Sequence, residues 1–307
     1  MSSLTVFSPA KLNLFLAVTG RRADGFHELV SLVAPLAWGD TLDVELRPGA
    51  ERVLECDLPN LPLDGSNLIL RAAQAFADRT GWTGGVRFRL RKVIPMGAGL
   101  GGGSSNAVAA LRALNQLTGE PLDAATLVEL AAGIGSDCPL FLHDGPVIMR
   151  GRGELIEPLP EEVTSRFAER RVLVFKPAFS VNTAWAYREL ARAASESDEP
   201  VYLPTAQAEK RLSDWLVGPG QPLEGLLFNT LERPAFEKHV ALPTLLERLH
   251  RTRGWAARMS GSGSACFGLL TEDQDPAVLA ADIHEAWGET ALVVNTRFAT
   301  RLALNPS

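Results

Sequence analysis

Hydrophobic and polar residues alternate near the start of the chain in the manner of a β-strand. Between residues 5 and 19, apolar side chains recur at every second position: Leu12, Leu14, Leu16 and Val18. Successive side chains of a strand point to opposite faces, so Lys11 and Asn13 are expected to share the other face. A solvated sheet face and a paired polar site explain these two residues equally well.

A second strand pattern, over residues 86–90, leads into a stretch rich in glycine. Five of the seven residues from 97 to 103 are glycine, and apolar residues then recur at helical spacing. Ser104, Ser105 and Asn106 are predicted to cap the N-terminus of that helix. Glycine is tolerated where φ is positive or where a ligand approaches the backbone closely. Free N–H groups at a helix start then predict an anion site, with phosphate as the usual ligand.

The spacing of this glycine loop, residues 97–103, separates it from two common phosphate-binding motifs. No lysine follows the glycines, as the Walker motif requires, and the dinucleotide fingerprint needs a parallel strand–helix–strand unit. A bland flexible loop is less well supported, because a proline precedes the loop, a leucine lies within it and an amphipathic helix follows it. The loop is therefore interpreted as a phosphate site of another kind.

Other patterns outline two domains. Ser66 is predicted to cap a helix that runs to about residue 80, and Asp123 a helix over residues 124–132 that stops at Gly133. The proline-rich and charged segment 157–170 is the best candidate boundary, which gives domains 1–160 and 161–307. Residues 195–222, with several prolines and glycines, are interpreted as an excursion outside the core. Residues 255–296 follow a β-turn-β-α-β order.

Two further polar segments stand in apolar surroundings. Asp137 lies just before a Cys-Pro step, and a catalytic carboxylate or the N-cap of a short helix explains it equally well. A second glycine-serine segment, residues 260–264, separates two predicted strands and is named here the glycine turn.

Composition and charge narrow the function classes. The chain has 307 residues, 46% hydrophobic and 21% charged, and a formal net charge of −6, which argues against a general nucleic-acid binder. An anionic substrate must therefore be bound by local cations, and the chain has five lysines against 25 arginines. No apolar run is long enough for a membrane helix, and the first residues do not resemble a signal peptide. We therefore expect a cytoplasmic protein.

Cysteine and histidine spacing does not indicate a metal centre. The three cysteines show no CxxC pair, which favours a reducing compartment over a disulfide framework. None of the five histidines has metal-ligand spacing, so a zinc site is not expected.

Three motifs in this order resemble the GHMP kinase superfamily: residues 8–14, residues 95–105 and residues 259–265. The likeness spans nearly the whole chain. Five stretches also resemble those superfamily members that act on a cytidine diphosphate-linked methylerythritol: residues 8–14, the hairpin 22–28, the turn 38–41, residues 101–106 and residues 135–139. Within the hairpin, Asp24-Gly25 is predicted to form the turn. The family more often has tyrosine in place of Phe26, and Asn229-Thr230 stands where Asn-Asp is expected.

This resemblance implies an α+β, two-domain fold, with a mixed α/β first domain that holds the phosphate loop and a ferredoxin-like second domain. It implies ATP-dependent phosphorylation of a hydroxyl, with Asp137 as the base and Lys11 beside it. Five residues would bind substrate: Asn13, Phe26, His27, Thr183 and Tyr187. Eleven would bind ATP: Asn67, Lys92, Pro95, Gly97, Gly99, Leu100, Gly101, Gly102, Gly103, Ser104 and Ser105. Three would close the pocket: Gly261, Ser262 and Gly263.

The resemblance also implies nucleotide-associated Mg²⁺, although no protein ligand for the metal can be assigned from the sequence. The expected partners are the small-molecule substrate and ATP, without nucleic acid or membrane, for a monomer or homodimer. Two alternatives stay open: another small-molecule kinase of the superfamily, such as homoserine kinase, and a non-catalytic nucleotide-binding protein of the same fold.

Overall fold

The computed structural model describes residues 2–218 and 220–300. The predicted domains 1–160 and 161–307 include residues 1, 219 and 301–307, which lie outside the described residues. The strands are β1 Ser3–Arg21, β2 His27–Arg47, β3 Arg52–Cys56, β4 Gly85–Arg91, β5 Val147–Gly151, β6 Leu155–Pro158, β7 Arg171–Lys176, β8 Phe228–Asn229, β9 Ala257–Met259, β10 Cys266–Leu269 and β11 Leu292–Arg297. The helices are α1 Leu68–Thr80, α2 Gly102–Leu117, α3 Ala124–Ile134, α4 Glu161–Thr164, α5 Thr183–Glu196, α6 Thr205–Val217, α7 Glu232–Lys238, α8 Ala241–Arg253 and α9 Pro276–Trp287.

The larger sheet is organised by the long hairpin of β1 and β2. The main order is β3-β4-β2-β1-β8, and β5 pairs with the first part of β2 and with β6. The predicted Asp24-Gly25 turn joins the two long strands. Helix α2 packs on this sheet beside α1, and its buried alanines, among them Ala107 and Ala110, permit close approach. The N-terminal end of α2, which carries Ser105 and Asn106, is thereby held against β1.

The smaller sheet has the antiparallel order β11-β7-β10-β9, with the glycine turn between β9 and β10. The α+β expectation is confirmed. The division at residue 160 stays a prediction, although the two parts share apolar packing. Leu36 and Phe298 form an isolated bridge, β8 extends the larger sheet alongside β1, and Trp215 of α6 is buried in the same apolar cluster as Phe15.

Several sequence expectations about element bounds are wrong. Residues 195–222 are not an excursion, because Ala208, Leu212 and Trp215 of α6 are buried. Asn67 rather than Ser66 caps α1, since its side chain accepts from the Ile69 amide.

Two more bounds differ from expectation, each at a glycine through which the element continues, because one glycine costs a regular element only about 1 kcal/mol. Helix α3 continues through Gly133 to Ile134. Residues 38–41, which were expected to form a turn, lie inside β2 with Asp40 completely buried. Strand β2 has long stretches buried on both faces, so no alternation marked its first part.

The short β8–α7 segment joins β1 to the glycine turn. The Thr230 amide donates to the Leu16 carbonyl at 2.9 Å, and the Thr230 hydroxyl accepts from the Val18 amide at 3.0 Å. The Asn229 side-chain amide donates to the carbonyls of Met259 and Gly261 at 2.7 and 2.8 Å. Asn229-Thr230 therefore connects the first strand of the chain to the glycine turn.

Glu232, in the same segment, accepts from the Met259 amide at 2.8 Å. Burial raises the pKa of its carboxyl to about 7, while that hydrogen bond and Arg258 act in the opposite direction. The folded pKa lies above that of the unfolded chain, so the folded state retains the proton more strongly. Stability is therefore lost as pH rises from the unfolded pKa towards about 7.

We expect Glu232→Gln to reduce this pH dependence while it keeps an acceptor for the Met259 amide. Between about pH 5 and about pH 8, the wild type should lose more unfolding free energy than the variant, by roughly 1–3 kcal/mol. Urea unfolding at both pH values measures the difference. Glu272→Gln, at an exposed position, is the control and should keep the wild-type dependence. Equal pH slopes for wild type and Glu232→Gln would contradict the assignment.

Candidate active site

A cavity of about 1220 Å³ lies between the sheet, the glycine loop, the glycine turn and α5. Most of the predicted site residues line it, although they come from distant parts of the chain. These are Lys11, Asn13, Phe26, His27, Asn67, Lys92, Pro95, Gly97, Gly99, Leu100, Gly101, Gly102, Gly103, Asp137, Thr183, Tyr187, Gly261 and Ser262. Ser104, Ser105 and Gly263 are the predicted residues that do not line it.

The glycine loop has the backbone that its composition predicts. Gly97, Gly99 and Gly101 have φ values of 62°, 76° and 71°, in the region that favours glycine. Gly101 is the N-cap of α2, so the expected caps at Ser104, Ser105 and Asn106 are wrong. The helix begins earlier than predicted because glycine can end the loop in the left-handed conformation without steric cost.

The earlier start changes which amides are free to bind an anion. The Ser105 N–H donates to the Gly101 carbonyl at 2.9 Å and is therefore already used. The first helical N–H groups, of Gly102, Gly103 and Ser104, have no intrahelical acceptor. A Cβ at Gly103 would meet nothing nearer than Leu68 at 3.7 Å, so this side of the helix start is open to a ligand.

The glycine loop and the glycine turn fit against each other and against β1. The Lys11 amide donates to the Leu100 carbonyl, and the Ala265 amide donates to the Ala98 carbonyl, each at 3.0 Å. A Cβ at Gly99 would collide with the Ser260 carbonyl. Only glycine permits this approach, so the first strand and both glycine segments form one surface.

Lys11 and Asp137 approach each other beside that surface. The Lys11 ammonium is buried, lies 3.9 Å from an Asp137 oxygen and donates to Asn13 Oδ1 at 2.5 Å. Burial lowers the pKa of Lys11, and the Asp137 charge partly offsets this. Asp137 does not cap a helix, because the following 3₁₀ turn begins after Cys138 and has no side-chain cap. Its carboxylate, 43% exposed, is open to the cavity.

Asn13 is oriented by a chain of hydrogen bonds. Its Nδ2 donates to the Ser31 hydroxyl at 2.9 Å, and that hydroxyl donates to the Phe15 carbonyl at 2.7 Å. The Asn13 amide donates to the Ser260 hydroxyl at 3.2 Å. The side-chain oxygen of Asn13 is thus turned towards the Lys11 ammonium, as the shared strand face predicted.

Aromatic rings line another part of the cavity. The rings of His27 and Tyr187 lie 5.0 Å apart, and Phe26 is 51% exposed, with the Arg152 guanidinium 5.2 Å above its ring. Burial, with a smaller contribution from Arg21, lowers the pKa of His27, which favours the neutral ring. Its Nε2 atom is buried and has no hydrogen-bond partner among the described residues. That nitrogen therefore has unused hydrogen-bonding capacity beside the cavity.

The start of α5 contacts the glycine turn. Asn182 caps the helix, and the hydroxyls of Thr183 and Ser262 are hydrogen-bonded at 2.7 Å. Gly261 is confined, because a Cβ there would lie 3.1 Å from the Gly99 carbonyl oxygen. Gly263 faces away from the cavity, towards the Met259 sulfur. Thr183 is thus linked to the glycine turn, while Gly263 affects only the conformation of that turn.

Two of the residues expected to bind ATP have partners within the protein. Asn67 caps α1 and donates to the Pro62 carbonyl at 2.8 Å. Lys92 donates to the completely buried carboxylate of Asp40.

Asp40 is the centre of a buried network beneath the glycine loop. Besides Lys92, it accepts from the amides of Val93 and Ile94 at 2.7 and 2.8 Å and from Asn106 at 2.9 Å. Asn106 also donates to the Ser8 hydroxyl, which donates in turn to the Ser105 hydroxyl at 2.8 Å. The carboxylate therefore joins the strand before the loop to the helix after it.

Sequence reasoning assigned no role to Asp40, Ser31 or Ser260. The signal for Asp40 was an acidic residue in the middle of an apolar strand, because an unpaired carboxylate there would be too costly to bury. Ser31 and Ser260 carried no such signal. Across the described ranges 2–218 and 220–300, no three His, Cys, Asp or Glu side chains converge as a metal site. No helix in those ranges is long and apolar enough to cross a bilayer.

The fold, together with a cavity between the glycine loop and the glycine turn, defines a small-molecule kinase of the GHMP class. The models "GHMP kinases N terminal domain" and "GHMP kinases C terminal" match residues 67–145 and 217–289. Together with the relatives described next, these matches show that the chain belongs to the GHMP kinases, and the resemblance seen in the sequence is confirmed.

The relatives are more specific. A protein of Methylacidiphilum infernorum named 4-diphosphocytidyl-2-C-methyl-D-erythritol kinase is 37% identical, over 91% of this chain and 90% of the relative. One of the same name from Synechococcus sp. is 39% identical, over 88% of each chain. A crystal structure of 4-(cytidine 5'-diphospho)-2C-methyl-D-erythritol kinase is 36% identical, with a TM-score of 0.72 and coverage of 96% and 99%. A homoserine kinase of Cytophaga hutchinsonii, 18% identical, shares the fold alone, with a TM-score of 0.69.

The Asp40 network generates a stability prediction. Asp40→Asn keeps the shape of the side chain but leaves the buried Lys92 ammonium without a counter-ion. We expect it to lower the free energy of unfolding by about 3–5 kcal/mol. Asp214→Asn, which breaks the exposed Lys210–Asp214 pair, should cost less than about 1 kcal/mol. Urea unfolding of both variants measures the contrast, and similar small losses would show that the network does not support the loop.

Proposed function

We propose that this chain transfers the γ-phosphoryl group of ATP to the 2-hydroxyl of 4-diphosphocytidyl-2-C-methyl-D-erythritol. The products are the 2-phosphate and ADP, in the route to isoprenoid precursors that does not use mevalonate. The names of relatives at 36–39% identity over most of the chain support this substrate. The observation that carries the proposal is the Lys11–Asp137 pair beside open helix-start amides in a cavity that also holds His27 and Tyr187.

In the proposed mechanism, the oxygen of the substrate hydroxyl forms a bond to the γ-phosphorus of ATP while the bond from that phosphorus to ADP breaks. Asp137 accepts the proton that the hydroxyl loses. Lys11 stabilises the negative charge near the acceptor, and Asn13 orients the polyol. Charge stabilisation and positioning are the main demands of phosphoryl transfer, so two fixed side chains suffice for much of the chemistry.

ATP fits the glycine loop because no side chain covers Gly103 and the first helical amides are unpaired. Mg²⁺ would neutralise phosphate charge, and we propose that it is held mainly by the nucleotide, since the described residues contain no preformed ligand cluster. The cytosine would lie near Phe26, His27 and Tyr187, with His27 Nε2 bound to its edge. A cytoplasmic location and a monomeric or homodimeric state stay predictions.

The substrate assignment is tested by assaying ADP release with ATP and Mg²⁺. We expect turnover with 4-diphosphocytidyl-2-C-methyl-D-erythritol and none with homoserine or mevalonate at equal concentration. Mass spectrometry should find one added phosphoryl group on the erythritol part. Preference for homoserine would contradict the proposed substrate and indicate another small-molecule kinase of the GHMP class. No turnover with any of the alcohols would favour a non-catalytic nucleotide-binding protein.

Asp137→Asn removes the proposed base at almost constant volume. We expect kcat to fall by about 10²–10⁴-fold, because that is the usual contribution of general acid–base catalysis. The affinity for ATP, measured by calorimetry, should change little. Asp144→Asn, at an exposed carboxylate paired with Arg112, is the matched control and should retain activity. Full activity of Asp137→Asn would remove this residue from the mechanism.

A further inference from the structure

Four arginines line the cavity, and three of them have no carboxylate partner within ion-pair distance among the described residues. The three are Arg21, Arg152 and Arg188, and the fourth is Arg192. Each is exposed at the mouth of the cavity, where a guanidinium loses little hydration before it binds a ligand. Exposure alone does not indicate a function, so their neighbours must be considered.

Arginines beside these three are paired. Arg22, next to Arg21, contacts Asp24 at 3.1 Å and Glu28 at 2.9 Å. Arg192, one helical turn after Arg188 on α5, contacts Glu189 at 2.9 Å and Glu196 at 2.6 Å. The acidic residues of this region therefore pair with Arg22 and Arg192 and leave Arg21, Arg152 and Arg188 available.

The charge around Arg152 follows the same pattern. Asp24 is close enough for the Arg152 charge to contribute to lowering its pKa. Its carboxylate, however, already accepts from the Arg22 side chain and from the Phe26 amide at 3.1 Å. Arg152 is consequently left with a cation–π contact to the Phe26 ring at 5.2 Å.

Each of the three arginines is also a near neighbour, in space or along the chain, of one aromatic residue of the proposed cytosine site. Arg152 lies over Phe26, Arg21 pairs across the hairpin with His27, and Arg188 directly follows Tyr187 on α5. A base bound among these rings would bring the phosphates attached to its ribose close to the three cations. With a net charge of −6, the chain as a whole would repel such an anion, so local cations are required.

We propose that Arg21, Arg152 and Arg188 form the site that binds the diphosphate of the cytidine-linked substrate. The planar guanidinium can donate two parallel hydrogen bonds to phosphate oxygens, which a lysine cannot reproduce. The three residues would then determine specificity for a nucleoside diphosphate over the free nucleoside. This inference rests on the proposed function, because that function places cytidine at this end of the cavity.

Calorimetric titration of the full chain with cytidine, CMP and CDP tests the proposal without requiring catalysis. The wild type should bind CDP more tightly than cytidine. We expect Arg152→Gln and Arg188→Gln each to weaken CDP binding about tenfold, with cytidine binding unchanged, since a charge-assisted phosphate contact is lost. Arg21→Gln should act in the same direction, and Arg152→Lys should recover only part of the loss.

Arg192→Gln is the matched control, because Arg192 lines the cavity from the same helix but is already ion-paired. It should leave the affinities for CDP and cytidine at wild-type values. ADP binding should be unaffected in every variant, because the ATP phosphates are assigned to the glycine loop.

Three results would overturn the diphosphate site. They are equal affinity of the wild type for CDP and cytidine, unchanged CDP affinity in all three glutamine variants, and parallel loss of CDP and cytidine binding, which would indicate damage to the ring site. The proposed function and the diphosphate site can be tested independently of each other. If CDP binding depends on the arginines but the methylerythritol derivative is not phosphorylated, the anion site stands and the acceptor is wrong.

Discussion

The burial of one carboxylate constrains much of this molecule. Asp40 is completely inaccessible to water, so its charge must be balanced inside the protein. Four donors satisfy it: three belong to residues 92–94, which follow β4, and the fourth belongs to α2. The glycine loop connects residues 92–94 to α2, so its two ends are held at a set separation. A loop of five glycines would otherwise lose considerable entropy on ordering.

The side of the cavity that holds Lys11 and Asp137 depends on a second constraint, the close fit of two glycine segments. Ser260 donates through its hydroxyl to the Gly99 carbonyl at 3.2 Å and accepts from the Asn13 amide at 3.2 Å. Asn13, Gly99 and Ser260 therefore form one hydrogen-bonded group, although Ser260 is more than 150 positions from either of the others in the sequence. Lys11 is buried against this group, and the cost of its burial is offset by Asn13 and Asp137. The glycine loop and the Lys11 side chain therefore share one hydrogen-bonded support.

Local patterns predicted the parts of the fold that are determined locally. The alternation around Lys11 and Asn13 placed both on one strand face, and the glycine spacing predicted positive φ at the loop. Sequence could not predict that Asn67 rather than Ser66 begins α1, because either residue can cap a helix. The hydrogen-bond network around Asp40 was still harder to predict from the sequence. Its partners are 52 or more positions away and become neighbours only after the strands pair. Family resemblance supplied Asp137, whose local sequence left two explanations open.

The Asn229-Thr230 step, which departs from the expected Asn-Asp, has a mechanical consequence. Thr230 is bonded on both sides of β1 residue Ala17, and Asn229 donates to the carbonyls on either side of Ser260, at the start of the glycine turn. These four hydrogen bonds join the first strand of the chain to its second half beside the glycine turn. Separating the two halves like a hinged clamshell would require all four bonds to break.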